Sequence, residues 1–217
     1  NIEKNDWRWT TDFNISMNRN KLEKLELQQV YYYTQTSEAL SEYVVRMTPG
    51  QPLSQFWGYT ALGVDPETGM IQYEDYNGDG KVNVADKHYI GDANPLFTAG
   101  LTNTISWKGL SFSFLLTSSV GNDIYNASKI EMIGMYTGGN QIKDVVRRWR
   151  IPGQITDIPK AGELDNLRAS TRWIEDGSYL KVKNITLSYD ITHPALKRAN
   201  IHRVQPYVTL DNMITFT

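Results

Sequence analysis

Cysteine is absent from this 217-residue chain, so it can form neither a disulfide nor a thiolate metal site. Histidine is scarce as well: His88, His193 and His202 stand apart, without the spacing of a zinc or catalytic cluster. No apolar run is long enough for a membrane helix, and no signal peptide is visible. Neither sign of charge predominates. A net charge of -2, with basic residues scattered apart from Arg147, Arg148 and Arg150, provides no electrostatic case for nucleic acid. A nucleophile-elbow serine and a glycine-rich phosphate loop are also missing, which leaves no positional signal for an enzyme. Since the chain opens at Asn1 instead of a methionine, it is expected to be an internal piece of something larger.

The most informative segment that is present runs from Asp75 to Pro95, DYNGDGKVNVADKHYIGDANP. Asp75, Asn77 and Asp79 occupy the first, third and fifth places of a calcium loop. Gly80 holds the sixth, where the chain must turn with positive φ; Lys81 offers its carbonyl at the seventh, and Asp86 closes at the twelfth. An aspartate reaches less far than the usual bidentate glutamate, so a structural calcium ion is expected to bind weakly, at about 10⁻⁴ to 10⁻³ M. The competing reading treats Asn77-Gly78 and Asp79-Gly80 as turn dipeptides in an acidic surface loop.

Around this loop the hydrophobic pattern has a period of two. Trp7, Trp9, Phe13, Ile15 and Met17 alternate with Arg8, Thr10, Asp12, Asn14 and Ser16. From Phe97 to Trp107 the apolar residues again take odd positions, broken only by Asn103. Lys108-Gly109 predicts a tight turn into a strand with Phe112, Phe114 and Leu116 opposite Ser111, Ser113 and Thr117. A fourth strand, Tyr179 to Ile191, changes phase and predicts a bulge near Lys183-Asn184. The fifth is expected from Val204 to Phe216, with Pro206 at an edge or end.

Connections of roughly 70 residues (25–94) and roughly 60 (122–177) alternate with short ones, against about 4 to 6 in ordinary domains. Short turns on one side and long loops on the other, with strands of about 10 residues, are the pattern of an outer-membrane β-barrel. On that reading Asp12, Asn14, Thr102, Thr104, Ser113, Thr117, Tyr207 and Asp211 face the lumen, while Phe112, Phe114 and Leu116 face outer-membrane lipid. A β-sandwich with one core face and one solvent face has the same alternation, and it would bury those apolar residues against a second sheet. Within the loops, Ser37–Met47 and Gln141–Arg150 carry apolar residues at helical spacing and end at Pro-Gly breakers. Trp57, Tyr59, Tyr73, Tyr76 and Tyr136, with Arg147 and Arg148, are the loop candidates for contact with a ligand or partner; the alternative is that the aromatics form a small loop core.

Collinear stretches then carry a family resemblance. They are Phe56-Trp57-Gly58-Tyr59 with Leu62-Gly63-Val64-Asp65, the Asp75–Asp86 loop, Tyr89-Ile90-Gly91 through Asn94-Pro95-Leu96-Phe97 to Asn103, and Gly121 to Asn126. Arg148-Trp149, Ile174 to Leu180, Lys183 to Leu187, and Asp211-Asn212-Met213 with Thr215-Phe216-Thr217 complete the series. In this order they resemble the C-terminal part of SusC/RagA-type TonB-dependent outer-membrane transporters of Bacteroidetes. The resemblance implies an all-β fold, part of an antiparallel barrel of about 22 strands whose long extracellular loops, 25–94 and 122–177, carry short helices. Residues 1–217 would then belong to one barrel domain lacking its plug and closing strands. It further implies import of glycan oligosaccharides or peptides, capping by a SusD-like surface lipoprotein, and drive from the TonB system. The rival is a secreted, calcium-stabilised β-sandwich or dockerin-like binding module; a dockerin would carry a second copy of the loop, and none is present.

Overall fold

The computed structural model describes residues 1–26, 31–34, 42–136, 138–198 and 200–217. Along the chain the strands are β1 (Ile2–Lys4), β2 (Trp7–Ser16), β3 (Tyr31–Thr34), β4 (Tyr43–Met47), β5 (Gln55–Gly58), β6 (Ala61–Val64), β7 (Ile71–Tyr73) and β8 (His88–Asp92). They continue as β9 (Phe97–Trp107), β10 (Leu110–Val120), β11 (Asp123–Tyr125), β12 (Ile174–Asp176), β13 (Tyr179–Tyr189) and β14 (Tyr207–Phe216). The α-helices are α1 (Ala127–Ile133) and α2 (Pro194–Arg198). The chain divides into two compact units, one of residues 1–18, 95–122 and 177–217, the other of residues 19–94 and 123–176.

The first unit is a six-stranded antiparallel sheet in the order β1-β2-β9-β10-β13-β14. Alternation sets its register. Trp107 opposite Leu110 leaves Lys108-Gly109 as a two-residue turn. On β13 the pairing passes from Val182 to Asn184, so Lys183 is the bulged residue and the apolar phase flips there, as the pattern predicts. Across the sheet Phe13, Leu101, Leu116 and Val182 form one apolar row. The expected break at Asn103 is resolved locally, because its Oδ1 accepts from the Trp9 indole (2.8 Å) and from the Thr11 hydroxyl (2.7 Å).

Among the described residues, every buried hydrophobic side chain lies in the second unit. Among the described residues no second sheet covers this face as a sandwich would require: Phe112 is 38% exposed and Phe13 64%. A sheet this apolar on one face needs a non-aqueous neighbour.

The second unit holds a four-stranded sheet, β3-β4-β5-β8, the hairpin β6-β7, the long-range antiparallel pair β11-β12, and a core of Ile130, Ile133, Ile158, Leu167 and Trp173. Two helix expectations change here. Residues 37–41 lie outside the described set, and Tyr43–Met47 is a strand, where Val45 pairs with Phe56; its β-branched valines suit a pleated, half-buried surface. The Gln141–Arg150 helix shrinks to a 3-10 turn, Lys143–Arg147, because Trp149 is drawn away. Its backbone N–H donates to Ile158, and its indole donates to the Pro66 carbonyl at 2.8 Å.

Candidate functional site

The Asp75–Asp86 loop sits in the second unit and closes on its own amides. Asp75 Oδ1 accepts from the Gly78 and Asp79 N–H groups, and its Oδ2 accepts from Gly80 N–H at 2.7 Å. Asn77 Oδ1 takes the Asp79 N–H, and Asp79 Oδ1 takes the Lys81 N–H. Gly80 has φ +83, the left-handed turn expected at the sixth place. Asp86 is fully buried; its oxygens accept from Asn77 and Asn83 N–H, and Asn83 caps the 3-10 turn Val84–Asp86 in return. These amides, Asn83 first, hold the Asp86 carboxyl below its ordinary pKa. Among the described residues no three carboxylate or histidine side chains converge as an ion-holding group. A cation on the expected set would thus depend on mixed oxygen donors, the carboxamide of Asn77, the carboxylates of Asp75 and Asp79 and the Lys81 carbonyl, with Asp86, the fifth expected ligand, already accepting from the Asn77 and Asn83 amides.

The loop is anchored at its exit. His88 Nδ1 lies 2.9 Å from the Asp86 carbonyl, and its ring stacks on Tyr76 at 3.9 Å. Next to it, the half-buried Lys87–Glu42 ion pair (3.3 Å) joins this segment to the start of β4, while Glu42 Oε2 also accepts from the Ala169 N–H. Sequence spacing has no signal for that three-way junction, whose members lie far apart in the chain.

The loop candidates take different positions. Tyr59 is 3% exposed and forms part of the core: its N–H donates to Ala169 O, and its carbonyl accepts from Thr171 N–H, both at 2.9 Å. Trp57 is half-buried under the Arg46 guanidinium, 4.0 Å from its ring, with Tyr89 edge-on. Arg147 is exposed and paired with Asp157 (3.0 Å) and Asp144, whereas Arg148 reaches back to the Val145 carbonyl. Tyr136 is exposed. Tyr73 is turned inward, its hydroxyl donating to Asp165 O at 2.7 Å, and burial raises its pKa.

In the first unit the register puts all eight expected polar positions on one face. Asp12 pairs with Thr102, Thr104 with Ser113, and Asn14 and Thr117 flank Gly100. Tyr207 opposes Ser188, and Asp211 opposes Asn184, whose amide donates to it at 2.8 Å. The other face carries the tryptophans, with Trp7 and Trp107 stacked at 5.6 Å beside the Lys108-Gly109 turn. No helix among the described residues is long and apolar enough to cross a membrane.

No family model matches the chain. Over its whole length it is 28% identical to TonB-dependent receptor P3 of Formosa agariphila and 26% identical to TonB-dependent receptor P26 of the same organism, covering 23% of each. TonB-dependent receptor SusC of Bacteroides thetaiotaomicron is 24% identical over 85% of the chain. Its homologues are TonB-dependent receptors. The SusC/RagA resemblance read from the motifs therefore holds, for a chain spanning about a quarter of its relatives' length. Among solved structures, the RagAB peptide transporter superposes with a TM-score of 0.78 at 23% identity, covering 100% of this chain and 24% of that one. The RagAB peptide importer in its closed-closed state scores 0.76 over the same span. This chain is thus antiparallel strand structure of the RagAB type, seen here as an open sheet and not as a closed barrel.

Proposed function

We propose that the full protein imports oligomeric nutrients, glycan or peptide, across the outer membrane as a TonB-dependent receptor, and that this chain supplies part of its barrel wall. The carrying observation is the six-stranded sheet whose uncovered face is apolar and whose opposite face is polar, in a chain collinear with TonB-dependent receptors. In this reading the apolar face meets lipid, Trp7 and Trp107 sit at an interfacial belt, and the polar face lines the hydrated interior. Loops 25–94 and 122–177 reach the cell exterior, where a SusD-like lipoprotein caps them, and energy comes from the TonB system. The chain itself carries out no catalytic step.

The Asp75–Asp86 loop is proposed to take a calcium ion weakly, in a structural role, because the amides already close it. Outer membranes bearing the full-length protein should release it only into detergent, with a surface lipoprotein co-purifying, as read by mass spectrometry of the intact complex. Recovery of a detergent-independent soluble species would contradict the transporter reading and favour a secreted binding module.

A further inference from the structure

The second unit contains an open hollow of about 520 Å³, within the size range of ligand sites, that none of the sequence motifs anticipates. One side of its lining is aliphatic, with Leu62 and Met70 from the β6-β7 hairpin and its turn, Ile71 at the base, and Val82 from the acidic loop, and the other side is Gln72, Tyr73, Asp165 and Arg168. The scaffold behind it is rigidly tied. Buried Asn166 accepts the Ile71 N–H at 2.7 Å and donates to Lys160 O at 3.1 Å, which straps the hairpin to the 160–168 segment. Tyr73 is also fixed, by its bond to the Asp165 carbonyl.

The rim carries an ion pair of uneven use. Both Arg168 contacts, from Nε at 3.2 Å and Nη2 at 2.9 Å, go to Asp165 Oδ1, so among the described residues Oδ2 stands open to an incoming N–H. Stacked sugar recognition requires an open aromatic face, yet Tyr73, the one aromatic in the lining, lies beneath the Arg168 guanidinium. An aliphatic wall facing a carboxylate acceptor complements instead an apolar side chain carried on a backbone rich in N–H donors. From this geometry we infer that the Leu62–Val82 hollow is a subsite for an apolar side chain of a peptide ligand. The inference rests on the transport reading and specifies the cargo class for it.

The test uses the full-length receptor with its lipoprotein and two fluorescent mixed-sequence hexapeptide pools, one with central leucine and one with central serine, alongside maltohexaose. The leucine pool should bind about tenfold more tightly than the serine pool. Exposed-rim variants Leu62→Arg and Val82→Glu should each remove that preference while leaving the serine pool unchanged. Equal affinity for the two pools, an unaltered preference in both variants, or binding of maltohexaose alone would overturn the subsite. Nutrient uptake by cells, measured in parallel, separates the two claims: uptake that persists without leucine preference removes the subsite only, and absence of any uptake contradicts the transport reading itself.

Discussion

Gly58 shows how one residue holds the loop unit together. A Cβ added there would lie 2.4 Å from the Ala169 carbonyl oxygen, on the backbone that receives the Tyr59 N–H. Gly58→Ala should cost about 1–3 kcal/mol and raise amide exchange at Tyr59 and Thr171 by roughly ten- to a hundredfold, as measured by hydrogen exchange. Unchanged exchange would show that the contact yields freely. Asp86 has a pH signature of its own. Because its folded pKa lies below the ordinary value, its contribution is complete above about pH 4 and is lost as pH falls through the lower folded value. Protection of the Asn77 and Asn83 amides should therefore persist through pH 5 and fail only in stronger acid, and Asp86→Asn should abolish that dependence.

At the scale of elements, the long strands were legible because a period of two survives wherever one face is apolar, and the Lys183 bulge because the phase of β13 reverses across it. Elements in the loop unit were not. The Tyr43–Met47 strand has apolar spacing that fits either period, and only its pairing with β3 on one side and Phe56 on the other decides. Helix α1 is a single short stretch whose Ile130 and Ile133 have meaning only against Trp173. The aromatic motif Phe56 to Tyr59 was recognisable, but its burial depends on Ala169, far away in sequence. Two predictions belong here. Leu116→Arg should destabilise the full-length barrel by about 2–4 kcal/mol if it meets the membrane midplane, while neighbouring Thr117→Arg is tolerated, as read by urea titration in lipid. Calcium at 1 mM should slow proteolysis of the Asp75–Asp86 loop about two- to tenfold, as expected for a site of 10⁻⁴ to 10⁻³ M. No protection would leave the amide network as the loop's sole support.

For the molecule as a whole, the proposed transport role assigns the two units different work. One presents a continuous two-faced sheet, and the other gathers the buried core of the described residues, the acidic loop and the hollow beside it. On the proposed reading selectivity is a property of the loop unit, and membrane residence a property of the sheet. The central claim is that the apolar face of that sheet meets lipid. Nitroxide labels placed one at a time at positions 111 to 117 of β10, in the full-length protein in its native outer membrane, test it directly. The account predicts that oxygen, concentrated in lipid, reaches labels at Phe112, Phe114 and Leu116, and that a water-soluble nickel chelate favours Ser111, Ser113 and Thr117. Labels at the apolar positions shielded from both reagents would place that face against protein and contradict the account.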